Sequence, residues 1–329
     1  MRDITAVVLS IGEPYTDRAI ASVQRQTLPV ADTVVVRGVT PFHRALNQGA
    51  AQVRTPFFVQ VDSDTILDER CLAQLRSCMD DHLGLVSCHL RDAVIGRIHG
   101  TRLYRTACFE HVQIRDSISP DMDFGIDIRR HGWGRFHVLR YGGDRQHWHT
   151  FGEHRPDYNP HYAFCKFLLE GIRSRYRRRE GRVRTLFHKL RTSTHPAAPI
   201  ALIATAHGLF LHDNRDLLVP YERGPDFQLL ERFLAAAGET PPTAALAQTN
   251  GDQRRRFTSA YEWGLRCREA GASSAFLAQL HRLTCDDSLA SWMTMAGMCH
   301  GLFHHNGNGA EAEQSYESLE EILALGPPW

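Results

Sequence analysis

Two carboxylates separated by one residue, Asp62 and Asp64, follow directly on the apolar run 57–61 (FFVQV). Carboxylate oxygens of this kind hold hard divalent cations such as Mg²⁺ or Mn²⁺, and an ion held there neutralises charge that develops on a departing diphosphate. The triplet alone also suits a surface turn, where Asp is common, so its place at the end of a buried run is what recommends it. Asp121 and Asp123 form a second acidic group, at the start of residues 119–133 (SPDMDFGIDIRRHGW). One carboxylate within hydrogen-bond reach of an acceptor hydroxyl can take its proton during attack, although both residues also suit the first turn of a helix. The third group lies in residues 146–154 (QHWHTFGEH). In an extended chain His147 and His149 share a face, so either can complete a metal shell or touch a phosphate. His300, His304 and His305 have helical spacing but adjoin Asn306 and Gly307, and read as a decorated helix end.

The elements that must carry these groups alternate in the first half of the chain. Residues 4–9, 33–36 and 57–61 are short apolar runs, and 16–26 and a segment opening at Pro41 are amphipathic, which predicts an α/β fold with a mainly parallel sheet. Further strands are expected at 84–89 and 94–104, and helices at 69–79 and 106–112. Asp62 and Asp64 then stand at the C-terminal end of a strand, the edge where open α/β sheets bind ligands. Beyond Pro196 the strand-like runs cease, and helices are expected near 227–237, 257–270, 274–283, 289–303 and 311–325. The organisation predicted is a domain over 1–195 and an α-helical C-terminal region over 196–329.

The 38 basic and 37 acidic residues leave a formal charge of +1, so no global field draws the chain to nucleic acid. The basic joint bounded by Arg173 and Arg191 is the one local exception, either a solvated helix face or a peripheral contact with an anionic membrane or lipid-linked acceptor. The apolar run 197–211 falls short of the ~20 residues that span a bilayer and predicts a core helix. Eight scattered cysteines with no paired spacing, and no leader-like N-terminus, predict reduced thiols and a cytoplasmic protein, with the inner membrane face as an option.

Residues 7–14 (VVLSIGEP), 22–29 (SVQRQTLP), 44–49 (RALNQG) and 59–64 (VQVDSD) together resemble glycosyltransferase family 2, in that family's order, over roughly residues 3–165. The resemblance implies a GT-A fold and transfer of a sugar from a nucleotide-diphosphate sugar to an acceptor hydroxyl on a polysaccharide, lipid-linked or protein glycan. It also implies that Asp64 is a metal ligand, that Asp62 contacts the ribose or the metal shell, and that Arg44 and Asn47 lie near the diphosphate. Ser10 and Glu13 would then meet the base or ribose, and Asp121 or Asp123 would be the base of an inverting transfer. The chain departs from the family where Arg37 follows the second strand in place of an acid, and where Pro120 stands for a glutamate. Two other readings are a non-catalytic nucleotide- or carbohydrate-binding protein and a sugar-phosphate nucleotidylyltransferase. The latter usually needs a Gly-rich loop and a basic residue after the first strand, which residues 10–14 lack.

Overall fold

The computed structural model describes residues 2–138, 149–177, 182–211, 225–236, 252–303 and 311–326. The chain divides into two units, residues 1–156 and 157–329.

The first unit is built on one sheet with strand order β2-β1-β3-β6-β5-β8-β4, and β7 pairs with β5 off this path. The central strand β1 (Ile4–Ser10) is buried along its whole length, because β2 (Asp32–Arg37) and β3 (Phe57–Asp62) flank it in parallel and helices cover both faces. The period-2 alternation of these strands sorts the core into two layers. Ile4, Ala6, Val8, Val59 and Val61 pack with Ala19 and Val23 of α1 (Thr16–Gln24) and with Cys71, Leu72 and Leu75 of α3 (Cys71–Ser77). Val7, Leu9 and Phe58 pack with Ala45 and Leu46 of α2 (Phe42–Ala50) and with Phe124 and Ile128 of α4 (Pro120–Arg130). A Cβ on Gly49 would lie 2.3 Å from Val7 Cγ1, so the glycine is what lets α2 lie so close to β1.

The rest of the sheet is mixed. β5 (Leu83–Asp92) and β6 (Gly96–Arg105) form a long antiparallel hairpin whose β6 strand also pairs antiparallel with β3. A 3-10 turn at Thr106–Glu110 follows in place of the expected helix over 106–112, and the Thr106 N–H that opens it is donated to the Pro56 carbonyl. β7 (Gly134–Val138) joins β5 in parallel, and two three-residue strands, β4 (Thr65–Leu67) and β8 (Gly152–His154), pair antiparallel at the rim. Four of the seven pairings are parallel and three antiparallel. The α/β class expected from the sequence is therefore the one the chain adopts.

The second unit is helical: α5 (Pro160–Arg177), α6 (Arg182–Thr192), α7 (Ala198–Gly208), α8 (Pro225–Ala235), α9 (Gln253–Glu269), α10 (Ser273–Leu283), α11 (Leu289–Phe303) and α12 (Glu311–Ala324). α7 and α11 are apolar on nearly every side and are the central members. Glycines set their packing: a Cβ on Gly301 would lie 2.0 Å from the Tyr261 carbonyl oxygen, and one on Gly264 2.4 Å from that of Met298, so α9 and α11 meet backbone to backbone. Gly171 and Gly208 do the same for α5 and α7. Several arginines of the basic joint are engaged within this unit: Arg173 and Arg182 clasp Glu170, Arg175 donates to Leu209 and Leu211 carbonyls, Arg184 pairs with Asp287, and Arg191 donates to Thr284. No helix among the described residues is long and apolar enough to cross a membrane, and all eight cysteines are unbridged.

Candidate functional site

β3 delivers Asp62 at its last position, and a tight turn returns the chain as β4 with Asp64 beside it. The intervening Ser63 is buried and donates its N–H to the Leu9 carbonyl at 3.0 Å, which fastens this turn to the end of β1. Asp62 is oriented from below: Tyr104 Oη donates to Gln60 Oε1 at 3.1 Å, and Gln60 Nε2 donates to Asp62 Oδ1 at 2.9 Å. Asp62 is solvent-exposed at the end of its strand. Desolvation by the surrounding protein atoms, and then repulsion from Asp64, raise its carboxyl above the ordinary value, while Gln60, Arg102 and His154 oppose the rise.

Asp64 meets a histidine that periodicity does not single out. His154 ends β8, opposite Thr65 in the register with β4, and its Nε2 stands 3.2 Å from Asp64 Oδ2. Its Nδ1 lies 2.7 Å from Asp92 Oδ2, and the Asp92 side chain has no exposed area. An ionised carboxylate only accepts, so Nδ1 carries the donated hydrogen and Nε2 is the nitrogen turned to Asp64. Asp92 Oδ1 in turn accepts the N–H groups of Val94 and Ile95 at 2.9 Å each. The result is a carboxylate–imidazole pair aimed at a second carboxylate, the arrangement that orients histidine ligands in metal sites. Gly152 permits it, because a Cβ there would lie 2.4 Å from the Ile66 carbonyl oxygen and would force β8 away from β4.

The acidic group of α4 reaches the same sheet face. Arg102 on β6 lies opposite Gln60 and makes an ion pair with Asp121 in the first turn of α4. Burial works against the Arg102 charge, but Asp121, Tyr104 and Asp62 sustain it and raise its pKa. Asp123 instead accepts a hydrogen bond from the Ser117 hydroxyl.

The remaining expected residues are placed as follows. Ser10 Oγ donates to Glu13 Oε2 at 3.1 Å, and Glu13 Oε2 also accepts the Ile11 N–H at 2.8 Å, so the loop after β1 is braced by its own side chains. Arg44 is exposed near the start of α2. Asn47 clamps Ile114, donating to its carbonyl at 2.8 Å and accepting its N–H at 3.0 Å, and so ties α2 to the approach to α4. His149 lines a recess of about 510 Å³ with Arg25, Asp68, Arg70, Thr150 and Phe151. Neither Asp62 nor Asp64 belongs to that recess. His147 lies outside the described residues. His154, Asp92, Gln60 and Arg102 escape a sequence reading because cross-strand pairing, and no local spacing, brings them to the acidic pair.

No protein-family model and no curated protein sequence matches the chain. Among solved structures it is similar to the mannosyltransferase PcManGT from Pyrobaculum calidifontis in complex with GDP-Man and Mn²⁺, at 15% identity, with 87% of this chain and 88% of that one covered and a TM-score of 0.41. It is similar to residues 1–349 of TarS from S. aureus, at 12% identity, with 95% and 91% covered and a TM-score of 0.35. A putative glucose-1-phosphate thymidylyltransferase from Bacillus anthracis shares 10% identity over 41% of this chain and 86% of that one, with a TM-score of 0.31. The structural neighbours thus include glycosyltransferases and a nucleotidyltransferase.

Proposed function

We propose that the first unit is a metal-dependent glycosyltransferase that moves a sugar from a nucleotide-diphosphate sugar to an acceptor hydroxyl, with inversion. The observation that carries the reading is the approach of His154 Nε2 to within 3.2 Å of Asp64 Oδ2 at the end of a buried strand, with Asp62 near enough for the charges of both to act on it. Two carboxylates and an imidazole form a donor set suited to Mg²⁺ or Mn²⁺. Bound there, the ion supplies positive charge against the leaving diphosphate. Gln60 fixes the Asp62 carboxylate, and Asp92 fixes the His154 ring with Nε2 turned inward.

Asp121 is the base in this proposal, in preference to Asp123. Arg102 holds Asp121 on the sheet face that carries Gln60 and Asp62, whereas Asp123 is engaged by Ser117. The ion pair orients the Asp121 side chain, and a carboxylate so placed is the group that would receive the acceptor's proton. Ser10, Glu13 and Arg44 border the nucleotide and diphosphate in this reading, and the acceptor is a glycan or lipid-linked hydroxyl. The test is Mn²⁺-dependent release of nucleoside diphosphate from a panel of nucleotide sugars. Turnover is expected to fall on the order of 10²-fold or more in Asp64→Ala. Turnover unchanged by EDTA and by Asp64→Ala overturns the proposal.

A further inference from the structure

Three histidines from three strands meet on the face of the sheet that carries Gln60 and Arg102. His89 on β5 is directly opposite His99 on β6, and His137 on β7 is opposite Ser87, two positions before His89. One ring nitrogen from each lies within 4.8 Å of the others, and His137 Nε2 stands 3.2 Å from the His89 ring nitrogens. The rings are 4.3–4.8 Å apart between centroids.

We propose that His89, His99 and His137 form a second cation site, selective for a nitrogen-loving divalent transition metal such as Zn²⁺ and separate from the hard-cation seat at Asp62 and Asp64. Imidazole suits Zn²⁺, Co²⁺, Ni²⁺ and Cu²⁺, whereas an all-nitrogen set is poor for Mg²⁺. Three protein ligands with an open fourth position are the usual catalytic or exchangeable zinc pattern. The Ser87 hydroxyl, 2.7 Å from His137 Nδ1, holds that ring with Nε2 directed at His89 and serves as the outer-sphere partner that metal-binding imidazoles require. His89 is buried, His137 half-buried and His99 exposed, so an ion has an entry path through His99.

The alternative occupant is an anion, because Arg97 and Arg102 act on His137. Two facts favour a cation. Arg102 already answers Asp121, and the Ser87 hydroxyl at His137 Nδ1 leaves that ring's Nε2 turned to the other two imidazoles. Nitrogens crowded to 3.2 Å cannot all be proton donors to an anion without repelling one another, whereas one cation accepts all three lone pairs.

This inference stands apart from the transferase reading and is tested on tag-free full-length protein stripped with EDTA. Titration with Co²⁺ is followed by its visible absorption, and Zn²⁺ affinity is read by competition. The expected result is one equivalent of tightly held Zn²⁺ and a four-coordinate Co²⁺ spectrum. Ser87→Ala should weaken Zn²⁺ by roughly 10–100-fold with the spectrum retained. His99→Ala, a change at an exposed side chain, should weaken it further and abolish the spectrum, and His137→Gln should do the same. Asp64→Ala should leave the spectrum intact. Absence of the Co²⁺ spectrum in the wild type overturns the site. So does its survival in folded His99→Ala and His137→Gln, its loss in Asp64→Ala, or thermal stabilisation by inorganic phosphate in place of Zn²⁺.

Discussion

Replacing Asp92 by Asn tests how the acidic pair acquires its nitrogen. The substitution keeps the size of the side chain, and the amide oxygen stays where Val94 and Ile95 donate to it at 2.9 Å. The new NH₂ group must then take the Oδ2 position, 2.7 Å from His154 Nδ1. A donor there needs a lone pair on Nδ1, so the hydrogen moves to Nε2 and is presented to Asp64 Oδ2, 3.2 Å away. The nitrogen proposed to face the metal is thereby blocked, and with Asp92 fully enclosed no water can restore the original pairing. Loss of an outer-sphere carboxylate costs metal affinity about 10–100-fold, or roughly 1.4–2.8 kcal/mol. The assay is titration of EDTA-stripped protein with Mn²⁺, with free ion followed by electron paramagnetic resonance and circular dichroism confirming the fold. Mn²⁺ affinity within twofold of wild type in folded Asp92→Asn refutes the argument that Asp92 sets the tautomer of a liganding His154.

Two further expectations concern the helical unit. Burial works against the Glu170 charge, but Arg173 and Arg182 more than offset it and hold its pKa below the ordinary carboxylate value. Its folded pKa is depressed, so its stabilisation is present above the unfolded value near 4.5 and is lost as pH falls through the folded one. Glu170→Gln should lower stability by about 1–2 kcal/mol at pH 7 and flatten the acid limb of a denaturation profile below pH 4.5; equal loss at pH 7 and pH 3 refutes the assignment. Gly301→Ala would drive a methyl to within 2.0 Å of the Tyr261 carbonyl oxygen and should cost about 1–3 kcal/mol, read as a lowered melting temperature, whereas a neutral effect refutes the close seam.

What could be read from the sequence was what depends on local period. The run 57–61 with its acidic turn, the amphipathic faces of α1 and α2, and the all-round apolar α7 and α11 each follow from spacing within a single segment. Long-range pairing was the hidden part. The β5–β6 hairpin lacks an Asn-Gly or Asp-Gly turn, and the Asp92 side chain closes it by accepting two N–H groups, so β5 runs on past its apolar segment to Asp92 while β6 begins only at Gly96. In residues 149–154 the spacing points to His149, yet among the described residues His154 is carried to Asp64, because Gly152 starts a strand whose partner is β4. Register across strands also assembles His89, His99 and His137, which lie 10 and 38 positions apart and share no motif.

The strip that carries His154 is only three residues long, and Gly152 contributes no side chain to anchor it. Segments with few apolar anchors open at little cost in free energy. A cation bound through the His154 nitrogen would favour the closed strip over any opened form by its differential affinity for the two. If the proposed ion binds there, its occupancy and the fastening of this rim are two readings of a single equilibrium: the sheet edge would work as a clasp, with the ion as its pin.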